Sequence, residues 1–189
     1  LVLGLVLFLG THSVRVFADD WRGAQLAARG EKTWKGLYSV LSLAGLVLIV
    51  YGYGLTRQAP IDIWNPPVWT RHLAALLTLP AFVLLAAGQM TGTRIKSAVG
   101  HPMVLGTKVW AFSHLIANGR LGDVVLFGAF LVWSIMLYAA SRRRDRRNGV
   151  RYVAGPASRD VIAVVAGLVA WAAFAFFLHA WLIGVQPFG

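Results

Sequence analysis

Apolar segments long enough to cross a lipid bilayer make up most of this sequence, and only short polar stretches separate them. A helix needs about 20 mostly apolar residues to span the hydrocarbon core. The six predicted spans are residues 1–18, 36–55, 72–89, 102–116, 123–140 and 160–183. Charged residues make up only 13% of the chain, whereas they form about a quarter of a soluble protein. The sequence therefore predicts an all-α integral membrane bundle of about six transmembrane helices, in a single domain covering residues 1–189.

The 18 lysines and arginines are distributed unevenly between the two ends of these spans. If the basic linker 141–159 is cytoplasmic, fourteen of them lie on that side, three lie outside and Lys108 lies within the membrane. Positive residues concentrate on the cytoplasmic side of membrane proteins, so both termini are predicted to face the outside. The net charge of +11 then reflects topology, and no nucleic-acid partner is expected.

Local signals refine this outline. Residues 19–35 are polar with interspersed tryptophans, which predicts a short amphipathic helix at the membrane interface. Pro80 should kink the third span, and the turn at 118–122 should join the fourth and fifth spans as an antiparallel hairpin. Asp123 and Asp160 fall at the starts of spans, where we expect them to cap their helices.

The chain contains no cysteine, so any bound metal must be held by histidine, methionine or carboxylate. The segment from His101 to Gly119 carries two imidazoles and Lys108 in an otherwise apolar stretch. In one straight helix, His101 and His114 would lie about 20 Å apart. They cannot both bind one metal from that helix, so each needs a partner elsewhere.

Ionisable residues inside a span are costly and mark a functional site by default. His12 lies in the first span with Arg15 one turn away, whereas His72 and His179 lie near span ends, where an interfacial role is the simpler interpretation. Haem b takes two imidazoles at its iron and cationic partners at its propionates. The predicted cofactor-binding residues are His12, Arg15, His101, Lys108 and His114, with His12, His101 and His114 as the candidate iron ligands.

The partner of His12 is left open between two histidines. We favour His101, because Arg15, Arg94 and Lys96 would then cluster at the inner rim, where propionates would meet water and positive charge. With His114, the haem would sit nearer the midplane and Lys108 would be the natural propionate partner.

Four segments of the chain also resemble the NnrU family of bacterial membrane proteins, which is similar to 15-cis-zeta-carotene isomerase. They read GTHSVR at residues 10–15, KGLYSVLSLAGL at 35–46, HPMVLG at 101–106 and WAFSHLIANG at 110–119. The resemblance implies a multi-pass protein of the bacterial inner membrane. It also implies haem b held by His12 and a histidine of the fourth span. One departure is Gly100, where the family often has arginine.

The resemblance implies two activities: haem-dependent isomerisation of a cis double bond, or a factor linked to nitrogen oxides and denitrification. The expected partners are the lipid bilayer, an apolar small molecule or a nitrogen oxide, and a second copy of the chain. The reaction, the substrate and the oligomeric state stay open at this point.

Two alternative functions remain. Pro102 followed four residues later by Gly106 also resembles the isoprenylcysteine methyltransferase and sterol reductase superfamily. Those enzymes need acidic groups near their C-terminal helices, whereas this chain has one glutamate, Glu31, and a mostly basic linker. The other alternative is a non-catalytic assembly or sensor subunit, in which any haem is structural or absent.

Overall fold

The computed structural model describes residues 1–188, so Gly189, the last residue of the predicted domain, lies outside the described residues. Nine α-helices are present in that part of the chain. They are α1 (Val2–Phe17), α2 (Asp19–Arg29), α3 (Glu31–Gln58), α4 (Trp69–Gln89), α5 (Arg94–Val99), α6 (Pro102–Ala117), α7 (Leu121–Arg147), α8 (Ala157–Ala173) and α9 (His179–Ile183). A π-helical turn, Phe174–Leu178, joins α8 to α9. The predicted all-α architecture is confirmed.

Four helical stretches are long and apolar enough to cross a membrane: Asp19–Gln58, α4, α7 and Ala157–Ile183. The predicted membrane bundle is therefore confirmed. The other two predicted spans, α1 and α6, form helices of 16 residues each. Such a helix is about 24 Å long, somewhat less than the hydrocarbon core. The count of six spans depends on these two shorter helices.

The main helices pack side by side in the order α3, α1, α7, α6, α4, α8. The α6–α7 pair forms the predicted hairpin, and its turn is bound to the connection after α3, because Gly119 accepts a hydrogen bond from the Ile63 amide at 2.8 Å. The Arg57 side chain, near the end of α3, donates to the carbonyl of Ile183 at the end of α9. The first and last helices of the row are thus joined at this end of the bundle.

The α1 and α3 helices approach so closely that glycine is required at their contact. A Cβ atom on Gly45 would lie 2.7 Å from the Phe8 nitrogen, and one on Gly4 would lie 2.5 Å from the Ile49 nitrogen. Small residues allow this kind of backbone approach between membrane helices. The contacts also fix an antiparallel register that places Phe8 opposite Gly45.

The opposite end of the bundle, called the basic end here, carries α2, α5, the C-terminal turns of α7 and the connection to α8. The α7–α8 connection is bound to the α4–α5 connection, because the Gly155 amide donates to the Gly92 carbonyl at 2.9 Å. The Arg159 side chain adds a hydrogen bond to the Thr91 carbonyl at 2.6 Å. Cationic residues that the sequence assigned to one side of the membrane are therefore close together in space.

The two predicted caps behave differently. Asp123 accepts from the Arg120 amide at 3.3 Å in a capping box at the start of α7, as predicted. Asp160 lies in the first turn of α8, but its oxygens accept from the amides of Arg94 at 3.1 Å and Ile95 at 3.0 Å. Asp160 thus caps α5, because the folded chain brings the first N–H groups of that short helix to it.

Several helix boundaries differ from expectation. The α7 helix continues to Arg147 instead of ending near Ala140, because arginine favours the helical conformation and these turns extend beyond the apolar part. The α2 helix ends before Gly30, whose φ of +79° breaks the helix, so α3 begins at Glu31. Pro80 lies inside α4, which continues through it.

Candidate functional site

A cavity of about 650 Å³ lies at the basic end, between α1, α2, α3 and α7. His12 lines it, and the charged lining residues are one acid and four cations: Glu31, Arg15, Arg22, Lys35 and Arg144. Some of these charges are paired. The Nε atom of Arg15 lies 3.7 Å from Oδ1 of Asp19, and the Nζ atom of Lys35 lies 2.7 Å from Oε1 of Glu31. The excess of cations over acids makes the cavity suited to an anionic ligand.

The His12 ring is held by its own helix and by aromatic neighbours. Its Nδ1 atom lies 2.8 Å from the Phe8 carbonyl oxygen, one turn earlier. A carbonyl can only accept, so the proton is on Nδ1 and Nε2 keeps its lone pair. The ring centroid lies 5.1 Å from that of Tyr38 on α3 and 6.2 Å from that of Trp133 on α7. His12 is thus an oriented imidazole in the tautomer that binds metals through Nε2.

His101 belongs to a different cluster at the basic end. Its Nε2 lies 2.8 Å from Oδ2 of Asp145, and Tyr152 donates its hydroxyl proton to the same oxygen at 3.1 Å. The Nη1 atom of Arg142 lies 3.9 Å from the same oxygen of Asp145. A carboxylate can only accept, so Nε2 of His101 carries a proton.

Asp145 was missed by reasoning from the sequence. It lies in the mostly basic linker that the sequence predicts to be cytoplasmic, yet the carboxylate is buried in the turns that extend α7. A signal was present, because it is the single acid among seven arginines between residues 141 and 159. A lone acid in such a run indicates a specific partner.

Gly100 also has a structural role. Its φ of +77° favours glycine, and the Arg142 guanidinium contacts the place where a Cβ atom of residue 100 would project. The α7 helix therefore brings a guanidinium next to residue 100.

His114 lies in an aromatic environment away from the cavity. Its Nδ1 is 2.9 Å from the Trp110 carbonyl oxygen, and its ring centroid is 4.6 Å from that of Phe127. Lys108 is half-buried on the same helix, and neither residue lines the cavity. Of the two histidines that we assigned to the interface, His72 is exposed, and the Nδ1 atom of His179 lies 2.7 Å from the Val185 carbonyl oxygen.

Of the predicted site residues, the structure brings His12 and Arg15 into one cavity. On α7, His12 contacts Trp133, whereas His101 contacts Tyr138. Trp133 and Tyr138 are five residues apart, which corresponds to a rotation of about 140° around the helix. The two imidazoles thus meet different faces of α7. Within residues 1–188, no group of three or more histidine and acidic side chains has the geometry of a metal site. The choice of a second ligand stays a prediction.

Comparison with known proteins gives one match. A family model described as NnrU protein matches residues 1–187. No curated protein and no solved structure matches the chain. The match covers the cavity, the His101 cluster and the aromatic environment of His114.

Proposed function

Because this chain belongs to the NnrU family, we propose that it is a membrane protein that binds haem b in the cavity beside His12. The observation that carries the proposal is an oriented imidazole with a free Nε2 at the wall of a cavity rich in cations. Haem b needs an imidazole nitrogen for its iron and positive or strongly donating partners for two propionates.

The residues fit this group by three criteria. The cavity volume of about 650 Å³ falls within the range of roughly 300–1,000 Å³ that small-molecule sites occupy. The Phe8 carbonyl fixes the tautomer of His12, as acceptors behind metal-binding histidines usually do. The cations lie at the end of the bundle that water reaches, where propionates usually point.

Each side chain then has a distinct task. His12 would hold the iron through Nε2, and the Phe8 carbonyl keeps the imidazole oriented. Arg15, Lys35 and Arg144 would pair with the propionates. When bound, the haem supplies one-electron chemistry and a place for a small ligand, while the surrounding helices limit access of water.

The charge of the cavity favours a nitrogen-oxide-linked role over carotene isomerisation. Its cationic lining suits small anions and polar oxides better than a hydrocarbon. We therefore propose that the protein acts on or senses a small nitrogen oxide in the membrane.

The first experiment is an absorption spectrum of protein purified after haem-replete expression, oxidised and then reduced. We expect a Soret band and sharp bands on reduction in the wild type, and their loss in His12→Ala. His72→Ala is the matched control, because that histidine is exposed. A wild-type protein without visible bands would rule out the haem proposal and favour the methyltransferase-like or non-catalytic alternatives.

The second experiment separates the two haem functions. Nitric oxide added to the reduced protein should shift the Soret band, and deletion of the protein should change growth under denitrifying conditions. Expression in a host that lacks carotene isomerase should not restore the trans product. Restoration there, without a response to nitric oxide, would assign the isomerase function instead.

A further inference from the structure

A second, smaller cavity of about 210 Å³ lies at the basic end, between α2 and the start of α3. It is lined by two aromatic, three polar or charged and one aliphatic side chain: Trp21, Trp34, Gln25, Thr33, Arg29 and Leu37. Trp34 also lines the cavity beside His12, so the two cavities share a wall. The proposed function gives the second cavity no role of its own.

The polar lining of this cavity is rich in hydrogen-bond donors. Arg29 and the two indole N–H groups can only donate, whereas Gln25 and Thr33 can donate or accept. No carboxylate is among the described residues that line it. A ligand that presents acceptor oxygens therefore matches the cavity better than an amine does.

Arg29 is the charged group of the second cavity. The acids on either side of it in the sequence have other partners, since Asp19 lies 3.8 Å from Arg22 and Glu31 lies 2.7 Å from Lys35. Arg29 itself forms no ion pair within residues 1–188 and is exposed. A guanidinium presents a planar fork of N–H groups that fits the oxygens of a phosphate. Phosphate is therefore the anion that this side chain suits best.

An exposed apolar stripe begins at the edge of the cavity and continues along α3. Leu37 lines the cavity, and Val40, Ala44 and Val47 follow at helical spacing on the same exposed face. The helical stretch that contains them is long and apolar enough to cross a membrane, so this face would contact acyl chains. A molecule with its polar head in the cavity can lay a hydrocarbon chain along the stripe.

The size of the cavity and its aromatic side chains agree with such an amphiphile. A volume of about 210 Å³ is below the roughly 300–1,000 Å³ of sites that enclose a whole small molecule. It suits a headgroup whose remainder lies outside. The ring centroids of Trp21 and Trp34 are 5.7 Å apart, and tryptophans are enriched where a membrane protein meets lipid headgroups.

We propose that the cavity between α2 and α3 binds the headgroup of an anionic phospholipid, with the phosphate at Arg29 and an acyl chain along residues 37–47. Thr33 would donate a second hydrogen bond to the phosphate. Positive residues at a membrane surface attract anionic lipids, which adds to the contacts inside the cavity. The proposal does not depend on haem binding, because it uses a separate cavity.

Lipid binding to apoprotein in detergent tests the proposal. Dioleoyl phosphatidylglycerol and dioleoyl phosphatidylcholine are titrated in turn, and native mass spectrometry counts the bound lipids. The wild type should bind the glycerol lipid more tightly. Loss of a hydrogen bond to a charged group should weaken that binding about tenfold in Arg29→Gln, with a smaller loss in Thr33→Val.

Arg151→Gln is the matched control, because it removes the same charge from an exposed position of the basic end outside the cavity. It should bind lipid like the wild type. Equal losses in Arg29→Gln and Arg151→Gln would overturn the proposal, since they would show attraction by net charge alone. Equal affinity of the wild type for the two lipids would overturn it as well.

A free phosphate shares the chemistry of the headgroup, and competition distinguishes the two sources. Inorganic phosphate is added to the wild type with bound phosphatidylglycerol, against chloride at equal ionic strength. The lipid should stay bound, because inorganic phosphate has no hydrocarbon chain to contact the apolar stripe. Displacement by phosphate but not by chloride would assign the cavity to a free phosphate and overturn the lipid assignment.

Discussion

The Nε2 atom of His101 lies 2.8 Å from the Oδ2 atom of Asp145, and this contact joins the start of α6 to the last turns of α7. Tyr152 donates to the same oxygen from the α7–α8 connection. Asp145 is only 7% exposed. One carboxylate thus holds three parts of the basic end together.

Removing this carboxylate should destabilise the protein. In Asp145→Ala, the donors on His101 and Tyr152 lose their acceptor in a half-buried place, which we expect to cost about 1–3 kcal/mol. Thermal unfolding in detergent measures the effect. Asp20→Ala is the control, because Asp20 is exposed. Equal melting temperatures for the two variants would contradict the role of Asp145.

Because of the same cluster, the stability of the protein should fall at alkaline pH. Burial and, next, hydrogen bonding to Asp145 raise the pKa of the Tyr152 phenol above its ordinary value. The protonated phenol of Tyr152 therefore contributes fully to stability below its unfolded pKa of about 10. This contribution is lost as the pH rises through the folded pKa. Stability should fall more steeply above pH ~10 in the wild type than in Tyr152→Phe. Parallel curves would exclude this contribution, and Tyr51→Phe, at an exposed position, should follow the wild type.

Two glycines of α3 provide a matched test of helix packing. A side chain on Gly45 would meet the Phe8 backbone, whereas a Cβ atom on Gly54 meets nothing within 4 Å. Valine has the same helix propensity at both places, so only Gly45→Val should force α1 and α3 apart, at a cost of about 1–3 kcal/mol or more. Thermal unfolding compares them, and similar losses would mean that the close approach of α1 to α3 contributes little.

The second iron ligand can be identified by substitution in the haem-loaded protein. If His101 binds the iron, as the sequence favours, His101→Ala should convert a low-spin spectrum to a high-spin one, and His114→Ala should leave it low-spin. Lys108→Met tests the propionate partner that binding through His114 would require. The opposite pattern would assign His114, and an unchanged spectrum in both would leave His12 as the one histidine ligand.

Membrane topology is testable with reporter fusions. A fusion at Gly149, in the α7–α8 connection, should report cytoplasm, because fourteen cationic residues lie on that side. A fusion after Gly189, which lies outside the described residues, should report the other side. A cytoplasmic C-terminus would mean that an odd number of helices crosses before it, with α6 the first candidate for a re-entrant segment.

The helices could be predicted because the bilayer imposes a length and a polarity that a single sequence reveals. His12 and Arg15 were found for the same reason, since polar residues are conspicuous inside an apolar span. Asp123 was found at its cap because this interaction is local to its own helix.

The rest depends on contacts between helices. Asp145 meets His101 across 44 residues of sequence, and Asp160 reaches α5 across 65 residues or more. Sequence periodicity does not report such contacts, because many alignments of two apolar helices bury the same surface.

The hydrogen bond between Arg57 and the Ile183 carbonyl joins the first and last helices of the row. It lies at the end of the bundle opposite the basic end, where the cavity is. A ligand of the cavity would therefore reach His12 from the compartment that the arginines face. If that compartment is the cytoplasm, as the distribution of charge predicts, the proposed haem would arrive without crossing the bilayer. A molecule supplied from the far side has to cross the membrane before it can bind.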